Sequence, residues 1–207
     1  MRQVIFLLVT AGCAGSGAMK QATLTGQCAE GDVSCSRRHP QAPIAIGTRF
    51  YPDITSSIDG TSTPNLRLES AIPEILAIED GAFVGKTPGA TAVLITTDDG
   101  SVVDFVHVWV SPITKISLTR RDGDRIGAAI GLAVGEDITL EPALWFGAQR
   151  LAGDAELTWT PSDDKVITIL RDGSTGRRRL RARAPGKSTI TVALGEATTT
   201  LQLEVVP

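Results

Sequence analysis

Aromatic residues are scarce in this 207-residue chain: five Phe, three Trp and one Tyr make up 4% of it. Any core must therefore rest on Val, Ile and Leu. A basic excess is missing too. The formal net charge is −3, which argues against a general nucleic-acid binder, because no surplus of cations is present to neutralise phosphates. There are two histidines, His39 and His107. They share no spacing with cysteines or carboxylates that would support a catalytic triad or a His-based metal site. The longest apolar run falls far below the ~20 residues a membrane-spanning helix needs. No window keeps a 3.6-residue apolar period, so the chain reads as all-β.

Turn residues and alternating runs are abundant, with 21 Gly and 11 Pro. The clearest stretch is Ala184-Pro-Gly-Lys-Ser-Thr-Ile-Thr-Val-Ala-Leu194, and a weaker echo is Thr87-Pro-Gly-Ala-Thr-Ala-Val-Leu-Ile95. Each is a Pro-Gly turn feeding a β-branched alternation, in which every second residue faces the core. The echo extends along the chain. Residues 66–78 lie on 157–169 at an offset of 91, with Leu68 on Trp159 and Ile75 on Val166. Six residues are inserted at an Arg-rich tip, after which Phe83 meets Leu180 and Gly89 meets Gly186. Upstream, Ile46-Gly47 meets Val134-Gly135. Length changes of this kind fall in turns, where they cost least. Two tandem β-sandwich domains are expected, over 42–112 and 113–207. Lys187 and Ser188 replace Ala90 and Thr91, so the side-chain chemistry of that pair is read as not shared.

Residues 1–12 read as an export signal, with Arg2 ahead of the apolar run Val4-Ile-Phe-Leu-Leu-Val9. Thr10-Ala-Gly-Cys13 resembles the lipobox of bacterial lipoproteins, although that family usually carries Leu where Thr10 stands. The resemblance implies lipidation of Cys13 and a membrane partner through that anchor. If the host is Gram-negative, Ala14 fits sorting to the outer membrane. Cys28 and Cys35 then form an even pair, read as a disulfide in an oxidising compartment. A metal site there would lack a fourth ligand. Residues 13–41 read as a tether.

Val134-Gly-Glu136, Trp159, Ser162-Asp163, Val166-Ile-Thr-Ile169 and Pro185-Gly-Lys-Ser-Thr-Ile-Thr-Val192 resemble bacterial immunoglobulin-like domains of group 2. The resemblance covers nearly all of 113–207 and is weaker over 41–112, where Leu68 replaces the Trp. It implies two immunoglobulin-like sandwiches with Trp159 as a core landmark, and a structural or adhesive role at a bacterial surface. These are packing and turn motifs, nearly silent on function.

Three motifs are decoys. Gly186-Lys187-Ser188 lacks the earlier Gly and the following helix of a phosphate loop. Ser162-x-x-Lys165 precedes a strand rather than opening a helix. Asp98-Asp99 and Asp122-x-Asp124 lack calcium-loop spacing. No catalytic group, cofactor or metal is expected, and an enzyme is the least favoured class. Two surface features remain. Arg177, Arg179, Arg181 and Arg183 share one strand face, which suits an anionic polysaccharide; the alternative is that they blunt an edge strand. On the 102–110 strand, Phe105, His107 and Trp109 lie opposite Val106, Val108 and Val110. Phe105 and Trp109 are candidate contacts for an envelope-protein partner at an edge or interdomain face.

Overall fold

The computed structural model describes residues 22–26, 42–56, 65–120, 126–127, 129–171 and 176–207. The export signal, Cys13, Cys28, Cys35, His39, Asp122 and Asp124 lie outside the described residues. Within them every element is a strand. The first part holds β1 (Ala22–Gly26), β2 (Ile44–Ala45), β3 (Arg49–Phe50), β4 (Pro52–Ser56), β5 (Leu66–Ser70), β6 (Leu76–Glu79), β7 (Ala82–Gly85), β8 (Gly89–Thr97) and β9 (Val102–Ser111). The second holds β10 (Lys115–Arg120), β11 (Ala129–Ala133), β12 (Asp137–Phe146), β13 (Gln149–Arg150), β14 (Thr158–Pro161), β15 (Ile167–Arg171), β16 (Arg178–Ala182), β17 (Gly186–Leu194) and β18 (Ala197–Val206).

In the second unit, sheet β10-β12-β16-β15 faces sheet β11-β18-β17-β14. This is the immunoglobulin-like arrangement of two sheets with Greek-key connections. Alternate residues of both sheets meet in one core, including Ile116, Leu140, Ile167, Leu180, Ile190 and Leu203. The first unit repeats the plan with β2-β9-β8-β5 over β3-β7-β6. Its core joins Ile44, Leu76, Phe83, Val93, Val106, Val108 and Val110.

The repeat holds at the level of single hydrogen bonds. Gly47 N–H reaches Gly85 O at 2.9 Å, and Gly135 N–H reaches Ala182 O at 2.9 Å. Lys86 N–H reaches Ile75 O at 2.9 Å, and Arg183 N–H reaches Val166 O at 2.8 Å. The Pro-Gly turns are set by close approach. A Cβ on Gly89 would stand 2.8 Å from Ile75 Cδ1, and one on Gly186 would stand 3.0 Å from Val166 Cγ2. The glycine is what both turns keep, because a side chain there would collide with the core residue packed beneath it.

Ser188 corrects one expectation. Its hydroxyl and that of Thr91 are both buried. Ser188 Oγ accepts the Asp163 N–H at 3.1 Å, and Thr91 Oγ1 accepts the Ile72 N–H at 3.1 Å. A hydroxyl at this place is shared design, since the turn amide it satisfies is present in both units.

Further expectations change as well. Part of the stretch read as a tether is a strand: β1 pairs antiparallel with β4, Leu24 opposite Ile54. In the second unit β10 pairs with the corresponding part of β12, Leu118 opposite Pro142. The first unit therefore draws a strand from sequence before residue 42. β4 covers the start of the polar stretch 53–65, whose composition reads as loop. Its short polar run Pro-Asp-Ile-Thr-Ser hid a strand that Ile54 alone marks as half-apolar. Trp159 lies on β14, at the outer edge of its sheet rather than on a central strand. It is partly buried and packs against the core from there.

The units meet through main chain. Residues 151–155 pass along the end of the first unit as a strap. Ala45 N–H donates to Ala152 O at 2.9 Å, and Ala152 N–H to Pro43 O at 2.8 Å. Arg49 and Asp154 exchange both bonds, at 2.9 and 2.7 Å. Gly153 has φ +105°, and a Cβ there would run into the Thr48 side chain. Ala45 is fully buried and belongs to the second unit's core, whereas its neighbour Ile44 belongs to the first.

Candidate functional site

The Arg-bearing strand β16 lies between β12 and β15, so it is not an edge. The edge-blunting reading is thereby corrected. Arg179 and Arg181 face outward, 43% and 42% exposed, and Arg183 is exposed, whereas the Arg177 side chain is only 13% exposed, which departs from the expected four-arginine face. Leu180 and Ala182 are buried. Three of these guanidiniums, those of Arg177, Arg179 and Arg181, meet carboxylates on β12. Arg181 Nε and Nη2 each donate to Asp137 at 2.7 Å, a two-pronged pair. Arg179 Nε stands 3.9 Å from Asp137, and Arg177 Nη1 stands 3.6 Å from Glu141. Arg183 Nε donates to Thr168 Oγ1 at 3.2 Å. The hydrogen bonds from Arg181 hold the Asp137 carboxyl below the usual range, and the charges of Arg179 and Arg183 add to this. Geometry of this kind satisfies the forked donors of Arg181 internally. An incoming anion would have to displace Asp137 before it met that fork.

The other face is different. β8 pairs with β9 along its length, whereas β2 borders it only at Val110 and Ser111, so the aromatic side is the outer face of the sheet at its margin. Trp109 is 53% exposed, the most exposed large apolar side chain among the described residues. Phe105 and His107 stand edge to face at a centroid distance of 5.6 Å, and His107 lies 6.2 Å from Trp109. The three rings form a ridge along one strand. Beside it, register places Ala90 opposite Trp109, Ala92 opposite His107 and Leu94 opposite Phe105. Ala71 continues the His107 row through its N–H to Ala92 O, at 2.9 Å. The ridge thus borders a shelf of small side chains. Sequence reasoning singled out the ridge but missed the alanine shelf, although the Pro-Gly register was enough to find it.

The second unit supplies an internal control for this face. In the same register Lys187 lies opposite Glu204, Thr189 opposite Gln202 and Thr191 opposite Thr200. Every position that is aromatic or small and apolar in the first unit is polar in the second. Lys187 and Glu204 there form an exposed ion pair at 3.6 Å. The scaffold therefore does not require the ridge; an ordinary solvated face serves the same fold.

No protein-family model matches the chain, and no curated protein matches it. Solved structures with partial likeness include domains 4 and 5 of the S-layer protein SbsC. The identity is 18%, the TM-score 0.36, and the match covers 74% of this chain and 83% of that one. The Yersinia pseudotuberculosis adhesin InvE matches at 10% identity and TM-score 0.37, over 95% of this chain and 62% of that one. A C-terminal fragment of intimin, solved with the intimin-binding domain of its translocated receptor, matches at 14% identity and TM-score 0.30. That match covers 74% of this chain and 56% of that one. The chain spans less than two thirds of the adhesin and intimin structures. At these scores the likeness assigns neither a family nor a role.

Proposed function

We propose that the protein is a non-enzymatic, exported protein of a bacterial envelope, which uses two immunoglobulin-like sandwiches to hold a docking face away from its anchor. The leader over 1–12 and the lipobox-like Thr10-Ala-Gly-Cys13 support export and lipid attachment. The observation that carries the docking reading is the replacement, on one shared frame, of Thr200, Gln202 and Glu204 by Phe105, His107 and Trp109. Exposed aromatic clusters are costly to leave in water and are enriched at protein contacts, so a face that holds one against its polar twin is read as a contact surface. The partner is an envelope protein with a complementary apolar patch.

Two experiments test the reading. Metabolic labelling with a lipid precursor should mark the wild type and fail on Cys13→Ser; a labelled Cys13→Ser protein removes the anchor. Crosslinking in intact cells should lose its adduct with Trp109→Ser and keep it with Glu204→Ser. An adduct unchanged in both variants removes the docking face.

A further inference from the structure

We propose that the far end of the second unit is a socket for a strap from a further β-sandwich module, of the kind the first unit already holds. The template lies within the molecule. Pro43, Ala45 and Arg49 bind residues 152 and 154 of the following unit entirely through main chain, at 2.7 to 2.9 Å. The same frame recurs one unit on. Ile44 pairs parallel with Val110 as Leu132 pairs with Val205. Ile46 N–H reaches Ser111 O at 3.1 Å, and Val134 N–H reaches Val206 O at 3.0 Å. Arg49 lies opposite Val84 as Asp137 lies opposite Arg181. Gly131, Ala133 and Asp137 therefore hold the positions of Pro43, Ala45 and Arg49. In antiparallel ladders the direction of a residue's main-chain groups follows from its register, so Asp137 presents them as Arg49 does.

The second socket differs in what fills it. Ala45 N–H donates to the strap carbonyl of Ala152, whereas Ala133 N–H donates to Glu136 Oε2 at 2.9 Å. Glu136 stands where the first unit has Thr48, the residue that Gly153 packs against. Around it Val134 is 44% exposed and Val206 is 50% exposed, while Ile46 and Ser111 in the occupied socket are half-buried. Among the described residues the second end thus keeps the apolar rim and the strand geometry, with a carboxylate in place of the strap.

The occupant is a partner of defined chemistry: an extended segment of small residues around a glycine, like Leu151-Ala-Gly-Asp-Ala155, presented by another sandwich module. Main-chain pairing along a strand supplies its affinity, as in β-strand addition. Because the joint sets the end of one unit against the start of the next, it is head to tail and can be repeated along a line. Glu136 is the lid that the strap displaces.

The test uses the full chain and, as probe, a capped peptide of residues 149–156, followed through the amide signals. The chain's own strap already fills the first socket through four main-chain hydrogen bonds, so free peptide meets the second socket. At millimolar peptide the Ala133, Val134 and Asp137 amides should shift. Replacing the lid by its first-unit counterpart, Glu136→Thr, should tighten binding roughly fivefold, the worth of one hydrogen bond no longer contested. Unmoved 133–137 amides in both proteins overturn the proposal, as do shifts confined to 43–49. Self-association of the chain without peptide that moves these same amides would assign the socket to a second copy, and overturns it as stated.

Discussion

Ser188 holds the Asp163 amide 3.1 Å from its hydroxyl and donates to the carbonyl of the same residue at 3.2 Å. Thr91 receives the Ile72 amide in the first unit at the same distance. What looked like part of a phosphate loop is a staple between the Pro-Gly strand and the turn before the next sheet. Ser188→Ala leaves a turn amide without its acceptor and should cost about 1–2 kcal/mol. Ser188→Thr should cost less, since the first unit uses Thr there. Urea denaturation of both variants checks this, and an unchanged midpoint for Ser188→Ala would contradict it.

The joint gives the second prediction. Gly153 has φ +105° and faces Thr48 without room for a Cβ. Gly153→Ala should cost about 1–3 kcal/mol through backbone strain and collision. The loss should fall on the coupling between units, so one calorimetric transition in the wild type should separate into two. A single transition at the original temperature would show that the strap does not couple them.

The Arg–Asp pairing sets a pH dependence. Asp137 is shifted below the ordinary carboxylate value, chiefly by the hydrogen bonds from Arg181. Glu79, through Lys86, and Asp99, through Thr97, are shifted the same way. A depressed native value means that the unfolded chain takes up protons first as acid is added. The stabilisation is complete above the unfolded value of about 4 and is lost as pH falls through the lower native value. Stability measured from neutral pH down to about pH 2 should therefore decline. Asp137→Asn should make that decline shallower, with Glu79 and Asp99 supplying the remainder. An acid limb identical to the wild type would refute the assignment.

Trp159 gives the fourth. Its indole Nε1 is buried, and no acceptor for it is found among the described residues. Trp159→Phe removes that unmatched donor along with some area, and should cost less than about 1.5 kcal/mol. Trp159→Ala should cost about 2–3 kcal/mol, short of the 3–5 kcal/mol of a fully buried Trp, because β14 is an edge strand. A cost of about 5 kcal/mol for the alanine would place it at the centre of the core after all.

Much of the architecture was legible because the strands alternate cleanly. Val106, Val108 and Val110 face inward and Phe105, His107 and Trp109 outward, as period two demands. The Gly89 and Gly186 turns fixed the repeat, and the structure returns β8 and β17 with matching bounds at an offset of 97 residues. β1 and β4 were missed because each is a five-residue strand with a single large apolar residue, too short for periodicity to register. The charge pairing of Arg181 was missed for another reason. Asp137 is 44 residues away in sequence, and only the order β12-β16 brings the two together. Nor does local sequence say whether a strand is an edge: β16 carries an arginine run that suits an edge yet lies inside its sheet, and β14 carries Trp159 yet lies at the outside of its own, because edge status is a property of the pairing order.

The central claim is that the first unit's aromatic sheet face, and not the fold that carries it, makes the contact. The most direct measurement exchanges that face for its own polar twin, Phe105→Thr with His107→Gln and Trp109→Glu, and reads adduct formation in intact cells beside thermal stability. The second unit shows that the scaffold accepts these residues, so stability should stay within about 1 kcal/mol of the wild type. The account predicts that the adduct disappears while the protein remains folded. An adduct at wild-type yield in the folded triple variant would contradict it.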